Sequence, residues 1–288
     1  MSPRTLSLLL ATTSGIGGKT VARVKARNGL LGRSPEEFLR LSPETWREEY
    51  RLTAKGAANL AAERKGGLER IDALESRLAG LGVTLVTTAD AHYPAAIEAF
   101  DPDPPGALFL YGNLRLLEAN TFSVLSSRNA RPAELDDIER KAEEGVLGGE
   151  VLVTGHDRPE YQRSAIVPLR WGAPRILCLD RGLFRVLGDD LRDEAFRAAR
   201  LWRYEFDPRT DLVVSAFRPD TEFIGVNNKI RDRLVAGLSK RIDFVTISPS
   251  GGMPAILRQA LKAGRRVRVS DRILEYRGYL EAGAEAMA

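Results

Sequence analysis

The side chains most often used for covalent chemistry are scarce in this sequence. It has two histidines, His92 and His156, and one cysteine, Cys178. A single cysteine excludes an intrachain disulfide, and the shortage of soft ligands argues against a dedicated zinc site. Cys178 lies in the apolar run Ile176-Leu177-Cys178-Leu179, where it is expected as a small hydrophobe in a buried strand. Histidine-based catalysis has little to draw on, although aspartate, glutamate, lysine and serine remain. What the sequence offers more plainly are glycine-rich and arginine-bearing segments suited to holding an anion.

Four such segments stand out. Thr13-Ser14-Gly15-Ile16-Gly17-Gly18-Lys19-Thr20 ends like a phosphate-binding P-loop, but that motif needs a glycine where Thr13 stands, and no clear strand precedes it. It reads better as a helix-hairpin-helix-like turn. Gly15 and Gly17 would let backbone amides face outward at the next helix, as a phosphate contact or as a plain structural turn. The second segment, Phe122–Arg128, reads as a buried strand ending in Ser126 and Ser127, with Arg128 as a charged fork for phosphate. The third is Asn227–Ser239, which holds Lys229, Arg231 and Arg233. On a regular helix Arg231 and Arg233 point about 200° apart. They share one anion only if the helix begins near Arg233, which would put both at its mouth; otherwise they are solvated helix charges. The fourth, Pro249-Ser250-Gly251-Gly252-Met253, follows the apolar run Phe244–Ile247 as a strand-to-helix turn and a plausible anion cradle. Around it Lys240, Arg241, Arg258, Lys262, Arg265, Arg266 and Arg268 form the strongest basic bias in the chain.

The elements that must position these residues follow from periodicity. The first eighty residues read as short helices. Ser42 caps one that starts at Pro43, and Leu68, Ile71, Leu74, Leu78 and Leu81 repeat at helical spacing before Gly82. Val83–Thr87 then looks like a strand. Further strands are expected at Ala107–Tyr111, Phe122–Leu125, Val151–Thr154, Arg175–Leu179, Asp211–Ser215, Phe244–Ile247 and Arg266–Val269, with helices at Ala133–Glu144, Arg192–Leu201 and Ala255–Ala263. Alternation of this kind predicts an α/β fold with a mostly parallel sheet, in which ligands sit at the carboxyl ends of the strands. The expected division is a helical domain over residues 1–80 and an α/β domain over 81–288.

A net charge of +4 permits a nucleic-acid partner without requiring one. The run Leu8-Leu9-Leu10 is far too short to span a bilayer and no signal-peptide pattern follows it, so a cytoplasmic protein without a membrane partner is expected. Neither a metal nor a cofactor is called for.

The order of these pieces resembles the DprA/Smf DNA-processing family, part of a wider Rossmann-like superfamily of the SLOG type. The resemblance is carried by Gly15-Ile16-Gly17, Asp90-Ala91-His92-Tyr93-Pro94, Pro104-Pro105-Gly106-Ala107-Leu108 through Gly112, Leu125-Ser126-Ser127-Arg128, Arg231-Asp232-Arg233-Leu234-Val235-Ala236-Gly237-Leu238-Ser239, and Ser250-Gly251-Gly252. It departs from the family at Ser126, at Asp232, and over Thr154-Gly155-His156-Asp157-Arg158-Pro159, and lacks the winged-helix extension of many members. The resemblance implies an extended Rossmann-like fold behind a small helical (SAM or helix-hairpin-helix-like) domain. It also implies single-stranded DNA held without catalysis, a homodimer, and delivery of the strand to a RecA-type recombinase in natural transformation or recombination. By motif position it places Ser127, Arg128, Lys229, Arg231, Arg233, Lys240, Ser250, Gly251 and Gly252 at the DNA, with Gly15 and Gly17 in the helix-hairpin-helix-like turn. Two alternatives use the same pocket. One is a nucleotide sensor. The other is a nucleotide-processing enzyme of the lysine-decarboxylase-like (LOG) type, partly echoed by Pro249–Pro254, but Ile256 and Leu257 stand where its acid would be needed.

Overall fold

The amino-terminal region carries repeated helix-start signals. The side chains of Ser2, Ser34, Ser42 and Thr53 each accept a hydrogen bond from the backbone N–H three residues on, and a proline opens three of the helices that follow. The computed structural model, which describes residues 1–64 and 66–287 and Leu68 by its backbone alone, accordingly begins with α1 (Pro3–Thr12), α2 (Gly18–Leu31), α3 (Pro35–Arg40), α4 (Pro43–Tyr50), α5 (Ala54–Glu63) and α6 (Gly67–Gly80). Leu8, Leu9 and Leu10 are all buried, as are Phe38, Trp46 and Tyr50. These side chains are continuous with Val83, Leu85, Phe109 and Leu177 of the sheet, so the helices and one sheet face bury apolar surface together. Among the described residues no helix is long and apolar enough to cross a membrane.

From Val83 onward strands and helices alternate: β1 (Val83–Thr87), α7 (Ala95–Phe100), β2 (Ala107–Gly112), β3 (Thr121–Ser126), α8 (Pro132–Leu147), β4 (Val151–Thr154), α9 (Pro159–Trp171), β5 (Arg175–Cys178), α10 (Phe184–Leu187), β6 (Leu212–Ser215), α11 (Asn227–Leu238), β7 (Arg241–Thr246), α12 (Met253–Lys262), β8 (Arg266–Val269), α13 (Tyr276–Glu281) and β9 (Glu285–Ala286). Among the described residues they form one nine-stranded sheet in the order β1-β2-β6-β5-β4-β3-β7-β8-β9. Strands β6 to β9 run parallel, and β1 and β2 add an antiparallel edge. The sheet is therefore mostly parallel and covered by helices, a Rossmann-like arrangement, and Cys178 is buried in β5 as expected.

Two expectations fail for one reason, the pull of buried charge. The helix expected over Arg192–Leu201 is only a 3-10 turn at Arg197–Leu201. Glu194 is drawn inward to Arg175 and Arg203, which a regular exposed helix would not allow. Strand β7 starts at Arg241, three residues before its apolar run, because Arg241 and Asp243 find partners in Glu150 and Arg268 and can enter the sheet.

Arg175 is the hub of the first of these networks. Its Nε donates to Asp211 Oδ2 at 2.8 Å, its Nη1 to the Ala165 carbonyl at 3.0 Å and its Nη2 to Glu194, all buried; Arg203 closes the ring by donating to both carboxylates. This clamp ties the long excursion between β5 and β6 to the amino ends of those strands. Removing the guanidinium leaves two buried carboxylates with only Arg203 between them. Arg175→Ala should lower stability by about 3–5 kcal/mol in urea unfolding.

Candidate functional site

The chain runs from β3 outward through β4 and β5 to β6, then returns to lay β7 on the other side of β3. Where strand order reverses in this way, the loops at the carboxyl ends diverge and leave a crevice. Strand β3 ends at Ser126 and the loop after it carries Ser127 and Arg128; the loop after β7 carries Ser248 to Gly252. They are stitched together. Ser126 Oγ lies 2.6 Å from Thr246 Oγ1, Ser127 N–H donates to the Thr246 carbonyl at 3.0 Å, and Ser248 N–H donates to Ser127 Oγ at 2.7 Å. Gly251 N–H donates to the Ser248 carbonyl at 3.0 Å, which folds the Ser250-Gly251-Gly252 turn back over Ser127. Arg128 is exposed and has no carboxylate partner among the described residues. The structure thus gathers Ser127, Arg128, Ser250, Gly251 and Gly252 at one place.

The amino end of α11 reaches the same edge of the sheet, anchored by Asn227 Nδ2 donating to the Asp180 carbonyl at 2.9 Å. Lys229 is exposed in its first turn. Helix α11 is regular from Asn227, so it does not begin near Arg233, and the two arginines diverge. Arg231 turns inward and is 1% exposed. It donates through Nε to Asp232 Oδ1 at 2.7 Å, through Nη2 to Asn228 Oδ1 at 3.3 Å and through Nη1 to Asp157, while its guanidinium stacks over the Tyr161 ring at 4.3 Å. Tyr161 OH donates to Asp232 Oδ1 at 2.8 Å and completes the cluster. Burial opposes the charge on Arg231, but its surroundings of Tyr161, Asp232 and Asp157 hold its pKa above the ordinary value. The guanidinium expected at a phosphate is therefore the floor of the site, with its donors already engaged.

Arg233 lies on the opposite side of α11 from Arg231, 2.9 Å from Asp101 Oδ2. Lys240 lies at the wrong end of the sheet. It immediately precedes β7, its N–H donates to the Thr121 carbonyl at the start of β3, and parallel strands put their first residues opposite the crevice. The basic bias nearby is largely neutralised, with Arg241 on Glu150 and Asp243, Arg266 on Glu285 and Arg268 on Asp243. Arg265 donates to the Ala96 and Gly237 carbonyls, while Arg258 and Lys262 are exposed on α12.

The Gly15-Ile16-Gly17 turn does join two helices, and Gly15 and the following Gly18 have packing reasons, whereas a side chain would fit at Gly17. Gly15 has φ +87°, and a Cβ there would lie 3.2 Å from Gly56 N. At Gly18, which opens α2, a Cβ would lie 2.0 Å from the Pro104 carbonyl oxygen. Gly17 faces Asp103, whose Oδ1 would be 3.7 Å from its Cβ.

Sequence reasoning did not single out His156. It follows β4, is 5% exposed, and places Nε2 3.9 Å from Asp180 Oδ1, while Nδ1 has no hydrogen-bond partner among the described residues. Burial drives its pKa down to about 4 against the attraction of Asp180 and Asp157. Asp180 stays below the usual carboxylate range: burial pushes it up, and Arg181, His156 and Arg231 together pull it down further. The only sequence signal was position, a histidine directly after a buried strand. Among the described residues no cluster of His, Cys, Asp and Glu could hold a metal ion.

No protein-family model and no curated protein matches the sequence. Solved structures do match. The chain superposes on DNA processing protein A (DprA) from Streptococcus pneumoniae with a TM-score of 0.68 at 18% identity, over 100% of this chain and 95% of that one. The fold is that of DprA. A second DprA, from Helicobacter pylori, matches with a TM-score of 0.54 at 19% identity, over 71% of this chain and 90% of that one; that protein binds single-stranded DNA. The DprA likeness spans the amino-terminal helices as well as the sheet, which agrees with the order of motifs along the sequence.

The His156 environment has a thermodynamic consequence. As pH falls, the unfolded chain takes up the His156 proton near pH 6.5, whereas the folded chain resists until about pH 4. Stability from this residue is complete above about pH 6.5 and is lost progressively between there and pH 4, reaching about 3 kcal/mol. His156→Gln should remove that part of the acid sensitivity, measured as the difference in urea midpoints between wild type and variant at pH 7, 5.5 and 4.5.

Proposed function

We propose that this chain is a DprA-type protein that holds single-stranded DNA by its phosphates at the crevice between β3 and β7. The observation that carries the proposal is Arg128, an exposed guanidinium without a carboxylate partner among the described residues, beside the stitched turns of Ser127 and Ser248 to Gly252. A guanidinium with unengaged donors can make charge-assisted bonds to phosphate, and a glycine turn at the start of α12 lets the strand approach backbone amides. Lys229 adds a second mobile charge on the same edge. Arg231 acts as a positioning residue, fixing Asp157, Asp232 and Tyr161 beneath the strand. Lys240 has no part in this site.

Two further considerations support the proposal: the collinear DprA-like motifs, and a DprA fold shared with a protein that binds single-stranded DNA. Binding is favoured over glycosidic cleavage because Ile256 and Leu257, both buried, occupy the helix where a LOG-type enzyme needs a carboxylate. We further propose that the protein works in the cytoplasm as a homodimer, protects an incoming strand, and passes it to a RecA-type recombinase during transformation or recombination.

Fluorescence anisotropy with single-stranded and duplex oligonucleotides at two salt concentrations tests the central claim. Single strands should bind more tightly, with a salt slope of roughly −0.7 per neutralised phosphate. Arg128→Ala should weaken binding about tenfold across sequences and flatten the slope by about one phosphate. Absence of single-strand binding by the wild type at low salt would overturn the proposal; thermal stabilisation by nucleoside monophosphates in its place would favour a nucleotide sensor. For the finer claim, the wild type but not Arg128→Ala should shorten the lag before a RecA-type recombinase nucleates on protein-coated single strands.

A further inference from the structure

A cleft of about 1150 Å³ opens between the amino-terminal helices and the loop that leaves β6. One wall holds the Ser14–Gly17 turn with Lys55 and Asn59 of α5; the other holds Phe217, Arg218 and Ile224 on the way into α11. The second wall is unusual for a loop. Ile224 is 60% exposed and Val226 58%, two apolar side chains that line the cleft and face solvent, and their neighbour Phe223 is 40% exposed beside it. The loop is nevertheless firmly held. Gly182 N–H donates to the Thr221 carbonyl and Phe184 N–H to the Pro219 carbonyl, both at 2.9 Å, and a Cβ on Gly182 would lie 2.2 Å from the Arg218 carbonyl oxygen. The apolar side chains are thus presented on a rigid support.

Charge accompanies them. The Arg181 guanidinium lies 5.0 Å from the Phe223 ring centroid, Arg218 has only a 3.9 Å contact to Asp220, and Lys55 is exposed on the facing wall. The cleft also contains carboxylates. Glu63 is engaged by Arg70 at 2.6 Å and Asp103 lies against the start of α2, while Arg233, which also lines the cleft, is paired with Asp101. Two cations that line the cleft, Lys55 and Arg218, therefore stand free or nearly free beside an apolar wall, whereas Arg181 is held by Asp180 at 2.8 Å. The loop begins at the carboxyl end of β6, on the same edge of the sheet as Ser127 and Arg128, and ends at Asn227, which is bonded to the loop after β5.

We infer that this cleft receives the bases of the strand whose phosphates Arg128 holds. An apolar wall of Phe217, Ile224 and Val226 suits the flat faces of unstacked bases, and Lys55 and Arg218 suit the phosphates between them. Duplex DNA keeps its base faces stacked inside, so the cleft would serve to discriminate single strands. The inference rests on the single-stranded DNA reading and adds a base-binding surface to it.

The test compares an oligothymidylate of about twenty nucleotides with an abasic strand of the same length, using wild type, Arg128→Ala, and an Ile224→Ser, Val226→Ser double variant. Both loop side chains are exposed, so the double variant should keep the wild-type melting temperature. Wild type should prefer the base-bearing strand; the double variant should lose about tenfold on that strand and little on the abasic one. Arg128→Ala should weaken both strands alike. If wild type binds both strands equally, or the double variant keeps the preference, the cleft assignment is wrong while the phosphate site stands. If wild type binds neither strand, the functional proposal fails and the cleft assignment falls with it. Full competition by free thymidine monophosphate, with affinity independent of strand length, would mark a nucleotide pocket and also overturn the inference.

Discussion

Strand β3 is hydrogen-bonded on both sides by parallel neighbours that the chain reaches by opposite routes, and the candidate site depends on that arrangement. Parallel pairing brings the ends of β3 and β7 together although more than a hundred residues separate them. The register slip between Leu125 and Ser126 then lets Ser127 turn its hydroxyl toward the backbone of Ser248. One consequence is that Ser127 is used up as an acceptor within the fold, while Arg128 is released outward. The crevice is built from backbone and small hydroxyls, with its charge at the rim.

Two buried arginines divide the sheet between them. Arg175 sits at the amino ends of β5 and β6 with Glu194 and Asp211; Arg231 sits toward the carboxyl ends with Asp157 and Asp232. Each is a cation removed from water, tolerable because two carboxylates and further hydrogen-bond acceptors surround it. These clusters change how the net charge should be understood. Many arginines that make the sequence basic are internal counter-charges, so the positive field available to a ligand comes from a small set including Arg128, Lys229, Arg218 and Lys55.

Much of the fold was legible because buried parallel strands are nearly continuous apolar runs: Val151–Thr154 and Arg266–Val269 coincide with β4 and β8, and Phe122–Leu125 lies within β3. The failures occur where charge is buried. Nothing local announces that Arg241 and Asp243 belong to a strand, or that Glu194 turns inward, because their partners lie far along the chain. The site follows the same division. Small residues after an apolar run placed Ser127 and Gly251 in the turns that follow β3 and β7, since that signal is local. The fate of Arg231 depended on Asp157, some seventy residues away, and that of Lys240 on strand direction, which composition does not encode.

The contact at Gly18 bears on the cleft as a question of mechanical tolerance. Helix α2 rests on the Pro104 carbonyl through a spot where even one β-carbon has no room. Gly18 and Pro104 both line the cleft, so its spacing is gauged by a missing atom. A methyl group there would act as a shim, prising the helices from the sheet and widening the gap between the walls. The fit of whatever enters the cleft is thereby tied to a residue that has no side chain to touch it.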